Sequence, residues 1–231
     1  MIDIHKRSLQ KELLDRDNIS FADIMQNMKE LNFINTHLGG HAITLAGLKS
    51  LSKNKKTLSI CEIGCGGGDN LSAILDFGKK NNIDISAIGI DINPACIEYA
   101  KSKNSAIQFI HLDYKLVKFQ EKPDIIFSSL FCHHFTDEQL TEMLQWMRDH
   151  STIGFFINDL HRNLIAYYFI KYATKLFSRS YLVKNDAPLS VLRGFTLRDW
   201  KALLDKAGIT GYKIKWKWAF RYLITVAHDG S

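Results

Sequence analysis

The chain has 231 residues, 46% of them apolar, with a formal net charge of +6 and four cysteines. That length and apolar share suit one α/β core and exclude a disordered or collagen-like chain. Basic residues are scattered, which sets nucleic acid aside as a partner, and Cys61, Cys65, Cys96 and Cys132 form no C-x-x-C pair of the kind that marks zinc sites. The start of the chain has no apolar signal core, and no run approaches the roughly 18 apolar residues of a membrane span, so the expected location is cytoplasmic.

Taken in order, Ser20 with Asp23 three residues on predicts a helix start, and Ile19 can staple to Ile24 across it. Phe21, Ile24, Met25, Met28 and Leu31 line one face, and the helix should stop by Gly39 and Gly40. The stretch from Ser59 to Asn70 reads as a strand turning into a helix. An apolar run ends in Glu62, Gly64, Gly66, Gly67 and Gly68 follow, and Leu71, Ile74 and Leu75 recur at helical spacing. Gly64, Gly66 and Asp69 fall on the places of G-x-G-x-x-G, the dinucleotide pattern. A carboxylate at the third place, with Glu62 nearby, would repel a pyrophosphate. The loop suits a cationic ligand instead.

The spacing Glu62, Gly64, Gly66, Gly68 resembles the first motif, E/D-x-G-x-G-x-G, of the class I S-adenosylmethionine-dependent methyltransferases. Their cofactor carries a sulfonium and an ammonium, in keeping with the charge argument. The resemblance implies an α/β fold, a Rossmann-like doubly wound seven-stranded, mostly parallel sheet with a terminal antiparallel strand. It also implies an N-terminal helical cap and a helical lid insertion after strand five. The expected organisation is one methyltransferase domain over 1–231: cap 1–50, cofactor core 56–160, lid 161–194, final helix and strand pair 195–231. Helices ahead of the first strand often cover the cofactor and substrate mouth in this family, so Asn35, His37 and His41 are either site residues or loop and cap structure.

Ile83 to Ile92 predicts a second strand ending in Asp91, with Asn93-Pro94 starting a helix. Asp91 is placed to accept from a ribose or, alternatively, to cap that helix. The third strand, Ile107 to Leu112, ends in Asp113, which either binds or simply terminates the strand. By resemblance Asp91 takes the ribose hydroxyls, Ile92 packs on the adenine, Asp113 accepts the adenine amino group and the backbone near Leu112 meets the ring edge. With Glu62, Gly64, Cys65, Gly66 and Leu130 these make the expected site for S-adenosyl-L-methionine.

The fourth strand, Asp124 to Leu130, is apolar at its centre, as a buried parallel strand should be. Methyltransferases acting on DNA, RNA or glutamine amino groups typically carry N/D-P-P-Y/F/W at its end; Ser128-Ser129-Leu130-Phe131 stands here. Thr136 with Gln139 makes a capping box ahead of a stripe of Leu140, Met143, Leu144 and Met147. A fifth strand, Ile153 to Ile157, runs into Asn158-Asp159-Leu160-His161-Arg162. The histidines there and after strand four are either hydrogen-bonded structural groups or catalytic ones. In the catalytic reading His134 or His161 accepts the acceptor's proton, Asp159 orients an imidazole, and His133 and Tyr168 contact the acceptor. A metal on His133, His161 and Asp159 matches no ligand signature, so none is expected.

Leu164 to Phe177 is apolar on most faces, with Lys171, Lys175 and Arg179 in one basic stripe, and is too short to span a bilayer. A lid over a flat apolar substrate is expected first, ahead of interface packing and a membrane-surface helix. Thr196 with Asp199, and Phe195 stapled to Trp200, begin a helix that Gly208 stops. Tyr212, Ile214, Trp216 and Trp218 then alternate with lysines, predicting a strand with one buried face, and Arg221 to Ala227 returns as its partner. The segments around Asn158 to Arg162, Asp186-Ala187-Pro188, read as a loop, and Phe195 to Trp200 resemble bacterial methyltransferases of the quinone and phenol type. Some of those are encoded beside type III polyketide synthases. The resemblance thus implies methyl transfer to a small apolar aromatic acceptor (phenol, quinol or polyketide-like), on oxygen ahead of carbon. The rivals are an RNA or protein methyltransferase and a non-catalytic cofactor-binding subunit. Peripheral membrane contact and a homodimer stay open.

Overall fold

The computed structural model describes residues 3–16, 19–53 and 55–228. Seven strands form one sheet: β1 (Thr57–Ile63), β2 (Asp84–Asp91), β3 (Gln108–His111), β4 (Ile125–Ser129), β5 (Gly154–Leu160), β6 (Tyr212–Lys217) and β7 (Arg221–Ala227). Their order is β3-β2-β1-β4-β5-β7-β6. The first five run parallel, and β7 lies antiparallel between β5 and β6.

Period-two alternation sends each strand's apolar residues to both faces. Ile60, Ile125, Phe127 and Phe156 face a layer containing Ile43, Leu48, Leu71, Ile74 and Ile97. Those residues come from α2 (Gly40–Leu51), α3 (Asp69–Asn81) and α4 (Pro94–Lys103). Cys61, Ile63, Ile126, Phe155 and Ile157 face the other way, onto Leu140, Met143, Leu144, Met147, Trp200 and Leu203. Those belong to α5 (Asp137–His150) and α8 (Leu197–Lys206). Helices on both faces leave a crevice at the strands' C-terminal edge, where β1 and β4 lead off in opposite directions.

The predicted helix starts are built as expected. Ser20 accepts from Asp23 N at the head of α1 (Phe21–His37), and full capping boxes open α5 at Thr136 and α8 at Thr196. The Phe195 and Trp200 rings meet at 4.2 Å. After Gly39, left-handed at φ 74°, the chain starts α2 instead of a loop. Two helices fill the segment after β5: α6 (Leu164–Phe177), as read from sequence, and α7 (Tyr181–Arg193). Asp186-Ala187-Pro188 therefore lies inside α7 and is not a loop. The β6 face is also wetter than its pattern predicts: Trp216 is exposed at the sheet edge, and Trp218, 63% exposed, lies in the turn beyond the strand.

Candidate active site

One cavity of about 1180 Å³ opens at the C-terminal edge of β1, β2 and β4, bounded by α1, α6, α7 and the segment around Glu12. Its floor is the glycine loop. Gly64 and Gly66 are left-handed, at φ 67° and 50°, which glycine adopts without strain. A Cβ on Gly64 would stand 2.2 Å from the Phe131 ring, so only glycine lets β4's exit pack over the loop. Cys65 N donates to Ile90 O at 3.1 Å, tying the loop to β2.

Asp91 organises this end. Its carboxylate accepts from Gly66 N at 2.8 Å and from Asn93 N at 2.8 Å. It thereby joins the loop to the start of α4, whose cap is Asn93. Burial pushes the Asp91 carboxyl up, against the pull of those two N–H groups. Glu62 is buried, and burial holds its carboxyl well above the usual range; Oε1 accepts from Asn70 Nδ2 at 2.9 Å and Oε2 has no hydrogen-bond partner among the described residues. Asp69, at the start of α3, is pushed up to about 6 by burial, opposed by Lys103. Three destabilised carboxyls around one glycine loop fit a cationic ligand and disfavour a pyrophosphate. Ile92 is 67% exposed yet lines the cavity, as do Leu112, Asp113 and Leu130. Asp113 caps the short turn after β3 through Lys115 N at 3.0 Å, and Leu130 is left-handed at φ 54°. All nine residues of the expected cofactor set line this cavity.

The far end has a different chemistry. Leu14, Phe131, Phe169, Ile170, Val183 and Val191 wall it, and a polar cluster lies among them. His133 Nδ1 meets Asp159 Oδ1 at 2.8 Å, and His134 Nδ1 meets Asp15 Oδ1 at 3.1 Å. Burial pushes both acids up, but the histidines outweigh it and hold Asp159 and Asp15 below the usual range. Each is therefore a carboxylate, so each imidazole donates through Nδ1 and turns Nε2 toward Glu12. Glu12 is only 3% exposed, and burial raises its carboxyl, against His134 and the Ser190 hydroxyl, which donates at 2.7 Å.

Not every residue singled out from sequence converges here. His133 and His134 line the cavity; Asp159 stands behind them as the partner of His133, not of His134 or His161. His161 points away and accepts from Trp216 Nε1 at 3.3 Å. Tyr168 faces outward and stacks on Tyr172, while Ala166, Phe169 and Ile170 of the same helix reach the cavity. Asn35 lines the cavity and accepts from Arg221; His37 and His41 do not line it. The metal set considered from sequence does not assemble. Glu12, Asp15, Ser190 and Arg193 were missed, and Asp186 was singled out only as part of a loop; the Glu12–Asp15 spacing of a short helix start is the one local signal among them.

The amino-terminal segment is held over this end. Asp186 accepts from Leu13 N at 2.8 Å and Leu14 N at 3.0 Å. Arg162 donates to Ile4 O at 2.8 Å, Arg7 donates to Phe135 O at 2.9 Å, and Arg193 donates to Gln10 O and to His133 O.

Residues 60–154, from β1 to the first residue of β5, match the family described as a methyltransferase domain. No curated protein sequence matches the chain. Among solved structures, the chain is similar to human N-acetylserotonin methyltransferase in complex with SAM, with 17% identity and a TM-score of 0.65 over 92% of this chain. It spans 57% of the length of that human protein. It is similar also to the plantazolicin methyltransferase BpumL with SAH and a monoazolic desmethylPZN analogue, at 18% identity and TM-score 0.66, covering 90% of each chain. A third is magnesium protoporphyrin IX methyltransferase from Synechocystis PCC 6803 with SAM, at 13% identity and TM-score 0.54, covering 93% of this chain and 86% of that one. The sheet order is that of the fold these solved structures share, and residues 60–154 are similar to the methyltransferase domain family.

Proposed function

We propose that this chain methylates a hydroxyl of a small, flat, apolar aromatic acceptor, of phenol, quinol or polyketide type. One observation carries the reading. The cavity that begins at the glycine loop ends in a chamber with apolar walls and a polar cluster of His133, His134 and Glu12, flanked by Asp15, Asp186, Ser190 and Arg193. Its volume of about 1180 Å³ exceeds a single small-molecule pocket, typically roughly 300 to 1,000 Å³, and suits a cofactor with an acceptor beside it. The similar human protein is named for N-acetylserotonin, which supports a small acceptor.

S-adenosylmethionine supplies, when bound, an electrophilic methyl on a sulfonium. The chain's own residues do the rest. Glu62 and Asp69 offer negative charge to the cationic cofactor, Asp91 offers its carboxylate to the ribose, and Ile92 offers an apolar surface to the adenine. Transfer between two bound partners is chiefly a matter of alignment, which can supply roughly 7 to 11 kcal/mol. Phe131, Phe169 and Val191 fix the acceptor's plane. A phenol with a pKa near about 10 is protonated at neutral pH, so the hydroxyl must ionise where it meets the cluster, and Asp159 keeps His133 in the productive tautomer.

The test is turnover of S-adenosylmethionine with a panel of phenols and quinols, products resolved as methyl ethers or ring-methylated compounds. Methyl ethers, lost on Asp159→Asn, are expected. Methylation confined to RNA or protein fractions would overturn the reading.

A further inference from the structure

Three side chains, Glu12, His133 and His134, face one another at the acceptor end without a hydrogen bond from either Nε2 to Glu12. His133 Nε2 lies 3.6 Å from Glu12 Oε1, and His134 Nε2 lies 3.8 Å from Glu12 Oε2. Both are beyond hydrogen-bond length. One ligand atom from each of the three residues lies within 4.8 Å of the others. We propose that Glu12, His133 and His134 hold a divalent transition-metal ion of the zinc class at the acceptor end of the cavity.

Orientation is the first argument. Each imidazole spends Nδ1 on a carboxylate, His133 on Asp159 at 2.8 Å and His134 on Asp15 at 3.1 Å. Metal-bound histidines are held in this way, the outer carboxylate fixing the ring and making the ligating nitrogen more basic. Here the arrangement occurs twice, and both free nitrogens point at the same third residue.

Spacing and charge agree. Tetrahedral zinc with bonds of roughly 2.0 to 2.2 Å places its ligands about 3.3 Å apart; the two histidine–Glu12 distances, each to a different carboxylate oxygen, exceed this by a few tenths of an ångström, and the trio's ligand atoms, within 4.8 Å of one another, must draw in further. Glu12, Asp15, Asp159 and Asp186 bring four carboxyls around the cluster, and Arg193 approaches Glu12 and Asp15 only at 4.0 and 3.8 Å. Arg7 is engaged by Asp137 at 2.6 Å. Imidazole with carboxylate suits zinc or iron rather than magnesium or calcium.

Three protein ligands leave a coordination position open toward the cavity, the pattern of a catalytic and not a structural zinc site. An acceptor hydroxyl fits there. Bound to the ion it would ionise more readily, its proton passing to water. This role rests on the methyl-transfer reading; the ion's binding does not.

The experiment titrates Zn²⁺ into the chelator-treated full chain by calorimetry, with Co²⁺ absorption to report nitrogen and oxygen ligation. One equivalent is expected. His134→Ala and Glu12→Gln should lose affinity by at least about a hundredfold, and Asp15→Asn by about 10- to 100-fold. Each variant is also titrated with S-adenosylhomocysteine, so that a misfolded protein is recognised. Zinc should raise the melting temperature of the wild type and not of His134→Ala. A wild type that binds S-adenosylhomocysteine but no zinc, or equal zinc affinity in wild type and His134→Ala, overturns the ion. Zinc binding without turnover of any hydroxylated aromatic would instead remove the acceptor reading and leave the ion standing.

Discussion

Asp159 holds His133 twice: its carboxylate accepts from the imidazole Nδ1 at 2.8 Å and from His133's own backbone N–H at 3.3 Å. The pair joins the end of β5 to the turn after β4, so ring and backbone are set by one buried anion. Asp159→Asn keeps the shape but removes the charge and allows the wrong tautomer. Turnover should fall by about a hundredfold or more, while S-adenosylhomocysteine affinity stays within about threefold, since Asp159 does not line the cavity. Steady-state kinetics beside calorimetry separates the two. An unchanged kcat would remove Asp159 from the mechanism.

Asp91 bridges the glycine loop and α4 through Gly66 N and Asn93 N. Asp91→Ala leaves both donors without their acceptor and takes the carboxylate away from the proposed ribose position. Hydrogen bonds to charged groups contribute about 1.5 to 3 kcal/mol, so S-adenosylhomocysteine should bind roughly ten- to a hundredfold more weakly. The melting temperature should fall as well. Asp91→Asn, which retains one carbonyl acceptor, should lie between wild type and alanine in both.

Gly64→Ala tests how the loop and the β4 exit fit together. The new methyl would meet Phe131 at 2.2 Å on a backbone at φ 67°. Overpacking and left-handed strain each cost about 1 to 3 kcal/mol. Chemical denaturation should show a loss of that order. The double variant with Phe131→Ala should recover the overpacking part only, and strict additivity of the two substitutions would mean that they do not touch.

Asp69 supplies a pH dependence. Its folded-state value, about 6 against an ordinary 3.8, is raised by burial. For an acid raised in this way the native state holds the extra proton, so stability is lost as pH rises from about 4 to 6. A cationic ligand reverses the preference, because it needs the carboxylate. S-adenosylmethionine should therefore bind more tightly as pH climbs through 6 and level off above it. Asp69→Asn should flatten that rise in calorimetric titrations from pH 5 to 8.

The elements that sequence patterning captured are those whose signals are local. Strand alternation, the boxes at Thr136 and Thr196 and the Asn93-Pro94 helix start depend on residues within one or two turns. The cavity-lining positions of Glu62, Asp91 and Ile92 were legible for the same reason: each lies within one residue of a strand's C-terminal end. His161 was not, because pleating turns Leu160 to the cavity and its neighbours on either side away from it. Tyr168 fails by helical phase, since Ala166, Phe169 and Ile170 occupy the inward face of α6. Glu12 sits in a charged stretch that reads as surface. Its burial depends on Ser190, 178 positions along the chain, and no local periodicity encodes such a contact.

The arginines that fasten the amino-terminal segment grip main-chain oxygens. Arg162 takes the carbonyls of Ile4 and His5, Arg193 that of Gln10, and Arg7, within the segment, reaches the carbonyls of His133, Phe135 and Arg193. A carbonyl is the same whatever side chain it carries. Leu9, 68% exposed and lining the chamber, can therefore be exchanged for larger or smaller residues without loosening the clasp, whereas Leu14 packs on the cluster of Ile24 and Met28. The part of the wall nearest the acceptor is thus a replaceable panel on a fixed frame, and new acceptor preferences can be bred there while the sheet and the cofactor loop stay as they are.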